Sequence, residues 1–414
     1  MTRTTTFLRT LACAAAGSAA SLFAPASADE ADTKPVSLEE ALKASVPILN
    51  TRLRYEGVSQ DGLAEDASAL TYRFRAGLET GSYADTTFLI EFEHVGDLID
   101  DYNSTLNGKT AYPVVPDPEV TELNRLQLTN KSLPGTITTF GRQRIALDDH
   151  RFIGNVGWRQ NEQTFDAVRF KNTSFGKLTL DAGYIVQVNR IFGDDSPVGR
   201  WDGDSYFLNA SLPTSVGVLS GFSYMVDVDQ GGGSASSQTF GARLAGEKPI
   251  ANGKVTYAVS LAEQSDYGSS NLDYSANYYL VEGGYSTKKW NLGAGLEVLG
   301  SDGSAAFQTP LATLHKFQGW ADKFLVTPAS GVEDLYAKAG VSIGDVGPLA
   351  GVNFQGDYHV FTADSGGADY GTELDLQANA KWKSLGLTLK FADYQSDGFS
   401  TDTQKVWFEI NWNL

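Results

Sequence analysis

Along most of this chain, apolar and polar side chains alternate one by one in segments of roughly ten residues, and the connections between segments are alternately short and long. The last segment shows the pattern plainly. Val406, Phe408, Ile410, Trp412 and Leu414 fall on one face, and Trp407, Glu409, Asn411 and Asn413 on the other. A strand of about 9–11 residues with one continuous apolar face fits a tilted transmembrane β-strand. Lipid offers the backbone no hydrogen-bond partner, so such strands cross it only as a closed barrel. Eighteen segments follow this rule, and an even number puts both ends of the barrel on the periplasmic side. The expected fold is all-β: a transmembrane antiparallel barrel of about 18 strands, with short periplasmic turns and long extracellular loops, in a bacterial outer membrane.

The start of the chain reads as an address. Arg3 and Arg9 precede a small, apolar run from Leu11 to Leu22, and Ala26-Ser27-Ala28 is an A-x-A cleavage site. Residues 1–28 are therefore expected to be a signal peptide, 29–47 a short periplasmic segment, and 48–414 the barrel domain. Ser37-Leu38-Glu39-Glu40 is a capping box that predicts a short helix through about Ala44. The sole cysteine, Cys13, lies in the signal, which removes disulfides and thiol chemistry from the mature chain. Acidic residues outnumber basic ones 50 to 32, and loss of Arg3 and Arg9 takes the net charge from −18 to −20. That balance argues against nucleic acid as a partner. His94, His150, His315 and His359 have no metal-ligand spacing, and no cofactor or metal is expected.

The inward faces carry paired arginines. Arg52 and Arg54 stand opposite Leu53 and Tyr55, and Arg73 and Arg75 opposite Tyr72 and Phe74. Arg125, Arg142, Arg144, Arg169, Lys171 and Arg243 continue the series. On the lipid face a midplane arginine costs about 2–4 kcal/mol, so these are expected to line the pore, together with carboxylates such as Glu91 and Asp357. A basic wall in a low-dielectric tube favours anions. A ladder in which the same arginines neutralise inward carboxylates is the other reading, and both stay open. Phe140 shares parity with Arg142 and Arg144, which leaves the facing there ambiguous. Trp290, Trp382 and Trp412 are placed outward at the periplasmic interface, and Phe92, Tyr224 and Tyr358 toward the opposite rim. Two long inserts hold apolar and aromatic residues, among them Phe152, Trp158, Phe307, Trp320 and Phe324. They either fold into the lumen as a constriction or cover one another outside it.

The stretch Gly141-Arg142-Gln143-Arg144-Ile145 running to Gln163-Thr164-Phe165-Asp166-Ala167 resembles the alginate-export family of outer-membrane barrels. So do Leu314-His315-Lys316-Phe317-Gln318-Gly319-Trp320-Ala321-Asp322 and Arg52-Leu53-Arg54-Tyr55-Glu56. The resemblance implies a monomeric barrel whose arginine-rich lumen passes an anionic polysaccharide. The function expected on this basis is a non-enzymatic channel for hydrophilic, anionic solutes such as uronate oligomers or polysaccharide. A general small-solute porin is the alternative, and an outer-membrane hydrolase using His150 or His315 as base is a third. No catalytic residue is assigned. The expected partners are outer-membrane lipid and lipopolysaccharide, the barrel-assembly machinery, and an anionic carbohydrate or small solute.

Overall fold

The computed structural model describes residues 37–232 and 235–414; the signal peptide and residues 29–36 of the periplasmic segment lie outside the described residues. The first nine strands are β1 (Val46–Gln60), β2 (Ala67–Glu79), β3 (Thr86–Asp101), β4 (Val120–Asn130), β5 (Thr136–Gln143), β6 (Thr164–Phe175), β7 (Leu178–Asn189), β8 (Arg200–Thr214) and β9 (Gly217–Val226). The other nine are β10 (Ser237–Ile250), β11 (Gly253–Asp266), β12 (Ser275–Ser286), β13 (Trp290–Leu299), β14 (Val332–Val346), β15 (Leu349–Thr362), β16 (Asp369–Trp382), β17 (Leu385–Ser396) and β18 (Thr403–Asn413). Each pairs antiparallel with its sequence neighbours, and β18 pairs with β1, with Leu53 opposite Ile410 and Tyr55 opposite Phe408. The ring is closed and leaves no edge.

Alternation on each strand divides lipid from lumen. On β18, Val406 and Phe408 are exposed on the outer face, while Trp407 and Glu409 are buried inside. A closed eighteen-stranded barrel with an apolar exterior belongs in the bacterial outer membrane. Alternation fails at Gly141, whose φ of 107° only glycine adopts readily. That twist lets Phe140 face lipid while Arg142, two residues on, reaches inward to Asp166 and the Leu123 carbonyl. Tyr224 departs from expectation: it is buried on the lumen side, stacked on Phe222. Strand β5 ends at Gln143, because residues 144–163 turn into the barrel.

A six-residue helix, α1 (Leu38–Lys43), precedes β1. The Ser37 hydroxyl caps it by accepting from the Glu40 amide at 3.2 Å. Buried Ala41 accepts from the Gly81 amide at 2.9 Å, which seats the helix on the β2–β3 turn.

The β5–β6 loop (144–163) and the β13–β14 loop (300–331) both enter the lumen. They meet in a parallel bridge between Ile153 and Leu311, where the Gly154 amide donates to the Leu311 carbonyl at 2.8 Å. Their apolar side chains bury against the inner wall: Phe152 lies 4.9 Å from Phe222 and 5.2 Å from Tyr278, and Phe324 lies 4.5 Å from Phe361. Of the two outcomes left open for these inserts, the lumen is the one taken.

Candidate functional site

Beneath the β5–β6 loop, the wall of β1, β2 and β18 holds the first arginine group. Arg52 and Arg73 face each other across the β1–β2 ladder, an arrangement of like charges that needs compensation. The loop supplies it. The Arg52 guanidinium donates to the carbonyls of Gly157, Trp158 and Arg159 at 3.1, 2.9 and 3.1 Å. Arg54 donates through Nε to Glu409 at 2.9 Å and through Nη2 to the Trp158 carbonyl at 2.5 Å, and lies 4.1 Å from the Trp158 ring. Arg73 reaches the Gln160 carbonyl at 3.3 Å and the Asn50 side chain. Arg75 pairs with Glu93 and lies 3.3 Å from Glu162. Arg54, Arg73 and Arg75 are buried, so the expectation that they line open water is corrected: they hold the loop.

The loops reciprocate. Arg159 bonds Glu56 on β1 at 2.8 Å and Asp322 of the other loop at 3.1 Å, and buried Arg151 bonds Glu297 on β13 at 2.6 Å. On β16, Asp375 and Glu373 accept from the amides of Trp320 and Ala321 at 3.1 and 2.6 Å. Gly319 lies so close that a Cβ there would sit 2.4 Å from Glu373 Oε2. The Lys390 ammonium of β17 joins both loops to the wall. It sits 4.0 Å from the Trp158 ring and 3.7 Å from Trp320, with Trp407 at 5.3 Å. It donates to His315 Nε2 at 2.8 Å, which leaves Nδ1 to donate to Asp322, also at 2.8 Å.

Burial holds His315 neutral, with a pKa well below the ordinary value. Burial alone would raise Asp322, but His315, Lys405 and Arg159 hold its carboxyl well below the usual range. Glu162 is likewise held down against burial by Arg144 and Arg75. His315 faces an ammonium, and His150 Nδ1 stands 3.5 Å from Thr313 Oγ1.

The wall of β4, β5 and β6 is different. Arg125 makes a two-pronged bond to Glu91 at 2.9 and 2.8 Å, Arg142 one to Asp166 at 2.8 and 3.1 Å, and Arg169 one to Asp181 at 2.7 and 2.6 Å. Arg144 bonds Glu162 through Nε at 2.7 Å. These guanidinium side chains remain between 14% (Arg125) and 24% (Arg144) exposed. Beneath them the carboxylates Glu162, Glu91 and Asp181 are only 1%, 2% and 8% exposed, with Asp166 the exception at 28%. Lys171 is exposed near the periplasmic end of β6. Above Arg142 opens a polar cavity of about 460 Å³, lined also by Gln187, Asp194, Arg200, Asp202 and Gln230.

The remaining expected site residues are dispersed. Arg243 meets Asp149 of the β5–β6 loop at 3.2 Å, and Asp357 is buried and accepts from the Gln355 amide group at 3.0 Å. Trp290 and Trp382 are exposed on the outer face at the short-turn end, and Trp412 is half-buried there. Sequence reasoning missed Arg151, Arg159, Glu162 and Lys390. The aromatic content of the two inserts was the available signal that the lumen would fill.

No family model matches the chain, and no curated protein does. Solved structures do. OccAB1 of Acinetobacter baumannii aligns with a TM-score of 0.71 at 12% identity, covering 93% of this chain and 100% of that one. OpdQ of Pseudomonas aeruginosa gives 0.66 at 18% identity, over 91% and 99%. OccK1 (OpdK) of Pseudomonas aeruginosa gives 0.68 at 12% identity, over 89% and 98%. These likenesses establish the shared barrel. They overturn the resemblance to the alginate-export family, since the structural relatives belong to the Occ and Opd series.

Proposed function

We propose that this barrel is a passive channel for small hydrophilic solutes, with a preference for small anions set along β4 to β6. One observation carries the preference. At Arg125, Arg144 and Arg169 the guanidinium group is more exposed than its own carboxylate, so a passing solute meets the positive end of these three pairs first, while at Arg142 the partner Asp166 is the wetter of the two. The relatives in the Occ and Opd series, outer-membrane channels for small solutes, support a small cargo. The two tethered loops support it as well, because they fill the lumen beside β1, β2, β17 and β18 with buried, bonded side chains. The test is planar-bilayer conductance with reversal potentials in asymmetric salt. Open channels with an anion-favouring potential that Arg142→Gln and Arg169→Gln together reverse are expected. A barrel that inserts without conducting, or a potential indifferent to both substitutions, overturns the reading.

A further inference from the structure

On the lipid-facing side of β13 to β17 the wall is hollowed to about 720 Å³. Ala339 and Ala378 form its floor, and the larger Leu292, Val341, Phe354, Leu376 and Leu389 stand exposed around it. The ladder pairs Trp290 with Val341, Val341 with Phe354, and Phe354 with Ala378. Trp290 is the first residue above the β12–β13 turn, so the hollow lies toward the short-turn end. That end faces the inner leaflet, which holds phospholipid, and not the leaflet that holds lipopolysaccharide.

A lysine–tryptophan pair stands at each flank. Lys288 and Lys289 lead directly into Trp290, which lines the hollow. Lys383 follows Trp382, four residues below Ala378 on the same outer face, and its Nζ lies 5.3 Å from the Trp382 ring. All three lysines are exposed. Asp345 in the β14–β15 hairpin is the one acidic residue among the described turns of this sector, and its carboxylate accepts from the Gly351 amide at 2.9 Å. Indole rings settle at headgroup depth, and lysines beside them meet phosphate.

We propose that this hollow binds an anionic phospholipid of the inner leaflet. An acyl chain lies along the trough over Ala339 and Ala378, the phosphate sits at Lys288 and Lys289 on one flank, and Lys383 on the other adds to the positive field around it. A flat barrel wall offers a chain contact along one side only, whereas a shallow hollow adds dispersion contacts from its rim. Net headgroup charge then separates phosphatidylglycerol from phosphatidylethanolamine, whose amine cancels its own phosphate.

The experiment is native mass spectrometry of the whole barrel, with phosphatidylglycerol or phosphatidylethanolamine of identical chains added to the micelles. One retained phosphatidylglycerol per barrel is expected, favoured about tenfold, as a few lysines at an anionic surface supply. The triple variant Lys288→Gln, Lys289→Gln, Lys383→Gln should lose the preference. Ala339→Leu with Ala378→Leu should lose retention, while Ala242→Leu on the far wall leaves it unchanged. Heat-modifiable migration checks that each variant is folded. Equal retention of the two lipids, a preference surviving in the lysine variant, or retention surviving in the filled trough overturns the proposal. So does a dimer abolished by filling the trough, which would give the face to a second copy of the chain.

Discussion

The wall of β1, β2 and β18 and the wall of β4, β5 and β6 are both studded with inward arginine, yet they put it to opposite uses. In the first, Arg52, Arg54 and Arg73 spend their donors on carbonyls of the β5–β6 loop, and little water reaches them. In the second, Arg125 and Arg169 sit over buried carboxylates of neighbouring strands and keep an edge toward water, as does Arg142 beside the wetter Asp166. Facing inward is therefore not the same as facing the pore. What lies above the side chain decides whether a guanidinium acts as a fastener or as part of a field.

The sharpest way to break this contrast is Arg54→Met. It strips the Nε and Nη2 bonds from buried Glu409, leaving it Arg52 at 3.4 Å, and loss of one member of such a buried pair costs about 3–5 kcal/mol. Thermal unfolding in detergent should drop accordingly, with ion selectivity unchanged in whatever folds. A stable variant with altered selectivity would merge the two walls into one. Lys390→Met comes next. Removing the ammonium from between Trp158 and Trp320 should cost about 2 kcal/mol and free the loops. Single-channel traces should become noisier and proteolysis between residues 144 and 163 faster. Quiet traces would mean that the ion pairs alone hold the loops.

On the other wall, Arg142→Gln should change stability by no more than about 1 kcal/mol, because the released Asp166 lies at a wetted surface, whereas Arg169→Gln strips the partner from buried Asp181 and should cost more. The selectivity shift should fade in 1 M salt, where the Debye length is about 3 Å. A shift that persists at high salt would place these arginines in direct contact with solute rather than in a field.

Acid offers a gentler probe of the fastened side. Asp322 and Glu162 have folded pKa values held below those of the unfolded chain. Their contribution is complete above about pH 4 and is lost as pH falls through the folded values. Conductance should be flat from neutral pH down to about pH 5 and become unsteady in stronger acid, with Asp322→Asn showing that unsteadiness already at neutral pH. The smallest effect belongs to Ser37→Ala. It removes the cap of α1 for about 1 kcal/mol of local helix stability and should leave conduction untouched.

The barrel was legible because its physics is local. Each residue of β18 has lipid on one side or the lumen on the other, so Val406, Trp407, Phe408 and Glu409 announce their sides in turn. Where geometry departs from strict alternation, as at Gly141, a side-chain pattern cannot report a backbone angle. The filled lumen was only half legible. Phe152, Trp158 and Trp320 signalled that the inserts must bury something, but the partner of Arg151 is Glu297, 146 positions away. Nothing in a linear pattern links such residues, and the free arginine wall read on β1 and β2 was lost to the same blindness. The family resemblance failed for a related reason: inward arginines and long aromatic loops suit any wide barrel.

The pairing of β1 with β18, which brings the Leu414 amide to the Leu49 carbonyl at 3.0 Å, bears on how the molecule comes into being. A ring has no first strand. Until β18 finds β1, the sheet is an open ribbon with two raw margins, so the sixteen strands between them stay unsealed until that one seam forms. The same adjacency makes the starting point arbitrary: a short tether across that seam, with new ends cut into an outer loop such as 267–274, should yield the same barrel begun elsewhere.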